Sequence, residues 1–138
     1  MPTYAIVIVL VAMPVVFVGF WSLVCGLLAL VGGWAGLARR FRTEAEEPPG
    51  AEGGLFGMVG PTSYRGVLQV GFAEDGLDLR VMALFRPGHP PLRIPWSAIR
   101  MEGEGRGLFG SSVRLRIGEG GPLLRLPGEV WARRPGAR

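Results

Sequence analysis

From Tyr4 to Ala38 the chain reads "YAIVIVLVAMPVVFVGFWSLVCGLLALVGGWAGLA" and carries no charged side chain. About 20 apolar residues cross the hydrocarbon core of a bilayer, so the pattern predicts one spanning helix within residues 1–42. Two crossings would leave roughly 16 residues per arm and no polar turn between them. Pro14 lies inside the run, where spanning helices tolerate a kink. Tyr4 and Trp34 would stand roughly 45 Å apart along a helix. That is the headgroup-to-headgroup thickness, so both are expected at membrane interfaces. Beyond Gly33, residues Trp34, Leu37, Ala38 and Phe41 share one helical face, with Arg39, Arg40 and Arg42 beside them, as in an interfacial helix end.

The acidic, Pro- and Gly-rich stretch "TEAEEPPGAEGG" (residues 43–54) has no apolar period and reads as a flexible linker reaching roughly 20 Å. From residue 55 to 138 a separate domain is expected. There the apolar period shortens to two, the spacing of a strand with one buried face. In "YRGVLQVGF" and "LDLRVMALF" the apolar faces coincide when Phe72 pairs with Leu77, Val70 with Leu79 and Leu68 with Val81. "AEDG" is then a tight turn. The same test aligns Ile117 with Pro122, Leu115 with Leu124 and Val113 with Leu126 across "GEGG". "LRIP" and "SAIRM" are shorter strands around a bend at Pro95 and Trp96, and Gly128–Arg134 is a short helix. The expected architecture is an N-terminal transmembrane α-helix plus a small mainly-β domain of about six antiparallel strands. That sheet must curl to bury its single apolar face.

Composition sharpens the setting. All fifteen basic residues are arginine and glycine occurs 23 times, a usage that points to a GC-rich, bacterial genome. Because positive residues beside a spanning helix stay cytoplasmic, Arg39, Arg40 and Arg42 put the N-terminus outside and the domain in the cytoplasm, at the inner membrane. A cleaved leader would begin with positive residues, and "MPTY" has none. The net charge of +4 comes mostly from those three arginines. From Thr43 onward twelve Arg face eleven Asp and Glu, a net of +1. Nucleic-acid binding, which needs clustered positive charge, is therefore not expected.

Candidate chemistry is sparse. His89, in "RPGHPP", is the only histidine and Cys25, within the apolar run, the only cysteine. A metal site needs three or four ligands, so neither a metal nor a cofactor is expected. A triad of His89 with Ser97, Ser111 or Ser112 and Asp75 or Asp78 has nothing to orient the imidazole; a backbone hydrogen bond that shapes the loop is the plainer role. "GEGRG" and "GEGG" lack the spacing and the following helix of a phosphate loop. Ile94 and Trp96 read as core anchors. In the anchor, Gly19, Ser22, Gly26, Ala29, Gly33 and Gly36 form a stripe of small residues at spacings of three and four. Such stripes let helices approach closely in lipid, through self-association or a partner membrane protein, although a glycine-rich chain also produces them by chance. The second hairpin sets Arg114 opposite Arg125 with Arg116 adjacent. Opposed like charges repel unless an anion or carboxylate joins them, which makes these three the candidate anion- or lipid-binding set. Arg80 and Arg93 are expected on outward faces.

The order "GLDLRVMALFR", "HPPLRIPWSAI", "GRGLFGSSV" and "LLRL" resembles a family of small, functionally uncharacterised bacterial proteins with one N-terminal membrane helix and an "hPPLxIPW" hallmark. Residues 62–127 also resemble pleckstrin-homology-like and GRAM-type domains, which implies a curled sheet or partial barrel. Those domains close with a long C-terminal helix, whereas "GEVWARRPGAR" supplies barely two turns. Two classes of function fit these features. One is a non-enzymatic membrane-anchored binding or scaffolding module for anionic headgroups or a protein partner; the other is an accessory subunit of a larger membrane complex. An enzyme using His89 is a distant third.

Overall fold

The computed structural model describes residues 2–107 and 110–135; Leu108 and Phe109 of "GRGLFGSSV" lie outside them. Helix α1 spans Thr3–Gly32 and runs through Pro14. It is long and apolar enough to cross a membrane, and none of residues 2–20 is buried. Gly33 ends it with φ of +94°, a left-handed conformation that glycine adopts without a Cβ clash and that commonly closes helices. Helix α2, Trp34–Phe41, restarts immediately.

Seven strands follow: β1 Glu52–Val59, β2 Thr62–Phe72, β3 Gly76–Val81, β4 Leu92–Pro95, β5 Ile99–Gly107, β6 Gly110–Ile117 and β7 Leu123–Pro127. A four-residue helix, α3, covers Gly128–Trp131, shorter than the expected Gly128–Arg134. The strands form one antiparallel sheet in the order β4-β3-β2-β1-β7-β6-β5. Consecutive strands β4 and β5 therefore lie at opposite edges, joined only by the 3₁₀ turn Trp96–Ala98. Laid flat, the sheet would separate its edges by about 29 Å, whereas three residues reach about 10 Å. The sheet has to curl, giving a half-barrel around one core.

Both expected hairpin registers are present. Phe72 pairs with Leu77, Val70 with Leu79 and Leu68 with Val81; Leu115 pairs with Leu124 and Val113 with Leu126. Strand β1 is the element the pattern missed, because Gly57 interrupts the alternation between Leu55 and Val59 and Gly53 and Gly54 supply no side chain before it. It is also the strand that joins the two hairpin groups, pairing with β2 on one side and β7 on the other. Strand β3 ends at Val81, and Phe85, at the end of "LDLRVMALF", belongs to a 3₁₀ turn, Ala83–Phe85.

Residues 43–54 are not a free linker. Thr43 N donates to Pro91 O at 2.9 Å, Arg42 bridges to Leu92, and Glu52 already lies in β1. The segment is laid along the sheet and held there by side chains described below.

Candidate functional site at the helix–sheet junction

The core of the half-barrel is completed by the helices. Ala29 of α1 and Trp34 and Leu37 of α2 are buried with Leu68, Leu79, Leu92, Leu115 and Leu124 of the sheet, and Ala38 and Phe41 pack against them. The helical face of Trp34, Leu37, Ala38 and Phe41 is thus turned into the domain. This corrects the assignment of Trp34 to the membrane interface: its indole is fully buried and donates from Nε1 to Pro90 O at 3.0 Å. Periodicity found the apolar face correctly, but lipid and a protein core are both apolar, and the sequence pattern does not distinguish them.

Three rings meet at this junction. Trp34 lies 5.8 Å from the Tyr64 ring and 5.1 Å from His89. His89 Nδ1 is 3.0 Å from Pro87 O and Nε2 is 2.8 Å from the Tyr64 hydroxyl. A carbonyl only accepts, so Nδ1 carries the proton. Nε2 must then accept from Tyr64 Oη–H. Burial lowers the His89 pKa, which favours this neutral form. Both ring nitrogens are engaged; the imidazole ties the "HPP" loop to Tyr64 of β2, and the Trp34 indole ties the same loop to α2. Among the described residues no group of three or more His, Cys, Asp or Glu is placed to hold a metal.

Asp75 and Asp78, the carboxylates considered beside His89, have other partners. Asp78 is fully buried and takes Arg80 Nε at 2.7 Å on Oδ1. Its Oδ2 takes Arg80 Nη2, Arg93 Nε and Arg93 Nη2, each at 3.1 Å. Arg93 Nη1 also reaches Asp75 at 3.0 Å. The remaining guanidinium hydrogens hold backbone carbonyls of the former linker, Ala45 O at 2.7 Å and Glu46 O at 3.1 Å. Arg80 and Arg93 lie on the outer face of the sheet as expected, but residues 43–54 cover that face and make them largely buried clamps. The available clue was an acid set between Leu77 and Leu79, flanked by Arg80; its second partner becomes visible only when Asp78 pairs with Arg93 across β3 and β4.

The small-residue stripe divides. Cβ atoms added at Gly19, Gly26 or Gly36 would meet nothing within 4 Å, although the domain's own Gly88 comes up against the middle of the stripe. Gly88, with φ of +73°, lies so close that a Cβ there would stand 2.7 Å from Gly26 Cα and 3.5 Å from Ala29 Cβ. Gly32 and Gly33 press on Thr62 and Pro122 in the same way, and Ser22 is half-buried. Close backbone approach is what these residues permit; the partner they meet is intramolecular.

The basic residues occupy two places. Arg39, Arg40 and Arg42 are exposed at the C-terminal end of α2, where positive charge complements the helix dipole, and Arg40 lies over the Phe41 ring at 5.0 Å. Tyr4 is exposed near the other end of α1. In the sheet, Arg114 stands opposite Arg125 as expected. Arg116 does not join them. Its Nε and Nη2 form a two-pronged contact with Glu102 at 2.9 and 3.1 Å, and Nη1 donates to Gly121 O at 3.0 Å. Arg100 adds a further contact at 3.2 Å. The Arg116 hydrogen bond, then Arg100, holds the Glu102 carboxyl below its ordinary pKa. A register shift in β5 between Met101 and Gly103 brings Glu102 to Arg116. Arg114 lies over Gly103, and Arg125 is exposed.

No family model matches the chain, nor does any curated protein or solved structure.

What the arrangement offers chemically is a pair of opposed arginines on the sheet and a buried junction that joins the apolar helix to the domain. The opposed Arg114 and Arg125 follow from the hairpin register, and a carboxylate joining the arginines is the alternative that Arg116 takes with Glu102. Sequence reasoning named His89 as a loop-shaping group, but its partners Tyr64 and Trp34 come from elements far apart in the chain.

Proposed function

We propose that this chain is a non-enzymatic, membrane-anchored binding or scaffolding module with a pleckstrin-like half-barrel at the cytoplasmic face of a bacterial inner membrane. The observation that carries the proposal is the continuity between helix and core. The first eighteen residues of α1 are apolar and unburied, while its last turns and α2 form part of the domain's core. An element exposed and apolar at one end and buried in protein at the other suits an anchor that holds its domain rigidly against the bilayer. The strand order, two runs of sequential neighbours with consecutive β4 and β5 at the two edges, supports the pleckstrin-like reading. Arg39, Arg40 and Arg42 support a cytoplasmic domain. A reporter fused after Arg138 is expected to be active in the cytoplasm, with the protein pelleting with carbonate-washed membranes; periplasmic activity would reverse the orientation.

The ligand proposed for the sheet is an anion presented to Arg114 and Arg125, since guanidinium favours phosphate or carboxylate oxygens. With the full chain held in neutral nanodiscs, glycerol phosphate should bind weakly. Its binding should weaken in high salt and disappear in the variant carrying Arg114→Gln and Arg125→Gln. Undiminished binding by that variant would return the face to ordinary solvent. A second reading, an accessory subunit of a larger membrane complex, is favoured by one feature: Val16, Phe20, Leu23, Leu27 and Leu30 are all exposed at spacings of four and three, the period of a helix-packing seam.

A further inference from the structure

The domain meets α1 well above its last turn. Trp21 donates from Nε1 to Leu84 O at 2.7 Å, and its ring lies 5.2 Å from that of Phe85. The loop Met82–Phe85 therefore stands level with Trp21, about 17 Å up the helix from Gly32 at 1.5 Å per residue. Its side chains carry no charge, and two of them point away from protein: Met82 is 40% exposed and Leu84 58%. These are exposed apolar side chains outside α1, on the rim that abuts it. Arg86 follows at once and is also exposed.

Depth decides what these residues meet. A hydrocarbon core takes about 20 helical residues, and α1 starts at Thr3. A core beginning there ends near Ser22, one residue past Trp21. Any placement with the core farther along α1 puts Trp21 deeper still. In every register that lets α1 cross, Leu84 lies at the cytoplasmic boundary of the hydrocarbon or inside it. The rim below the loop is also nearly free of charge where it touches the helix, through Gly60, Thr62, Gly88 and Pro122.

We propose that the loop Met82–Phe85 is a second membrane contact of this protein, inserting Met82 and Leu84 into the bilayer beside α1 while Arg86 reaches the anionic headgroups. The inference rests on the reading of α1 as a spanning helix. It replaces Trp34 with Trp21 as the cytoplasm-side aromatic of the span. Tyr4 and Trp21 would then be separated by about 26 Å, close to the hydrocarbon thickness. Apolar side chains at the boundary with a basic residue just behind them match the composition of interfacial anchors. The contact also explains a geometric need: a domain joined rigidly to α1 this far up the helix has to present lipid-compatible side chains where the two elements enter the membrane together.

The full chain, with Cys25→Ser to leave one thiol, is spin-labelled in turn at Met82→Cys, Leu84→Cys, Val15→Cys and Glu119→Cys and reconstituted in vesicles containing phosphatidylglycerol. Collisions with dissolved oxygen should outnumber those with a water-soluble nickel chelate at residues 15, 82 and 84, and the order should reverse at residue 119. Labels at 82 and 84 that favour the chelate while residue 15 favours oxygen would overturn the loop contact and leave the anchor standing. A label at 15 that favours the chelate would overturn both. Shielding of 82 and 84 from both reagents would mean that a protein surface covers the loop, and would also overturn it. All four labelled positions are exposed, so the substitutions leave the core intact.

Discussion

Replacing Trp34 with Ala should cost about 3–5 kcal/mol of stability, the range for removing a buried indole. The ring is fully buried at the one place where helix, sheet and the "HPP" loop converge. Its loss opens a cavity between Tyr64 and His89 and leaves the Pro90 carbonyl without its donor. Because α2 is core and tether at once, the expected result is more than a lower melting temperature. The domain should loosen from α1, and limited trypsin digestion should cut at Arg39, Arg40 or Arg42 faster than in the parent. Trp34→Phe keeps most of the packing and loses the hydrogen bond, so its cost should be smaller, about 1–2 kcal/mol. Equal stability of Trp34→Ala and parent in a detergent unfolding titration would show that the helix does not hold the domain.

The second large effect is expected at Asp78. Its carboxylate accepts four hydrogen bonds from Arg80 and Arg93, whose side chains are 13% and 15% exposed. Asp78→Asn keeps the shape but removes the charge and turns an amide N–H₂ toward guanidinium donors. Breaking a buried ion pair from one side costs about 3–5 kcal/mol because the partner charge is left uncompensated. Here solvent reaches the arginines slightly and Asp75 still faces Arg93, so the lower end of that range is expected. The effect should also appear locally. The carbonyls of Ala45 and Glu46 are held by the arginines that Asp78 orients, so hydrogen exchange across residues 43–50 should accelerate more than exchange in β6 and β7. Uniform acceleration would mean that the clamp serves global stability alone.

These two residues illustrate what could be read in the chain. Local spacing identified the apolar helix, the two hairpins and their registers, since a period of 2 or 3.6 is written in neighbours a few residues apart. It also paired Arg114 with Arg125, since a hairpin register follows from its turn and its two strands alone. Trp34 was recognised as apolar and helical and assigned to the wrong solvent, and Arg80 and Arg93 were assigned to the surface, because nothing in a strand's own alternation says that a carboxylate awaits on its outer face.

The missing information is long-range. Strand β1, interrupted by glycines, has little local pattern, yet its pairing with both β2 and β7 makes one sheet of two groups and so encloses Trp34. A register shift in β5 aims Glu102 at Arg116 and sets that arginine apart from Arg114 and Arg125. Sequence alone determined which side chains seek burial and which strands align with their neighbours, because both are properties of short segments. Tertiary structure decided what each buried face meets and which charges neutralise each other, because those depend on surfaces brought together from different elements, some as far apart in the chain as Trp21 and Leu84.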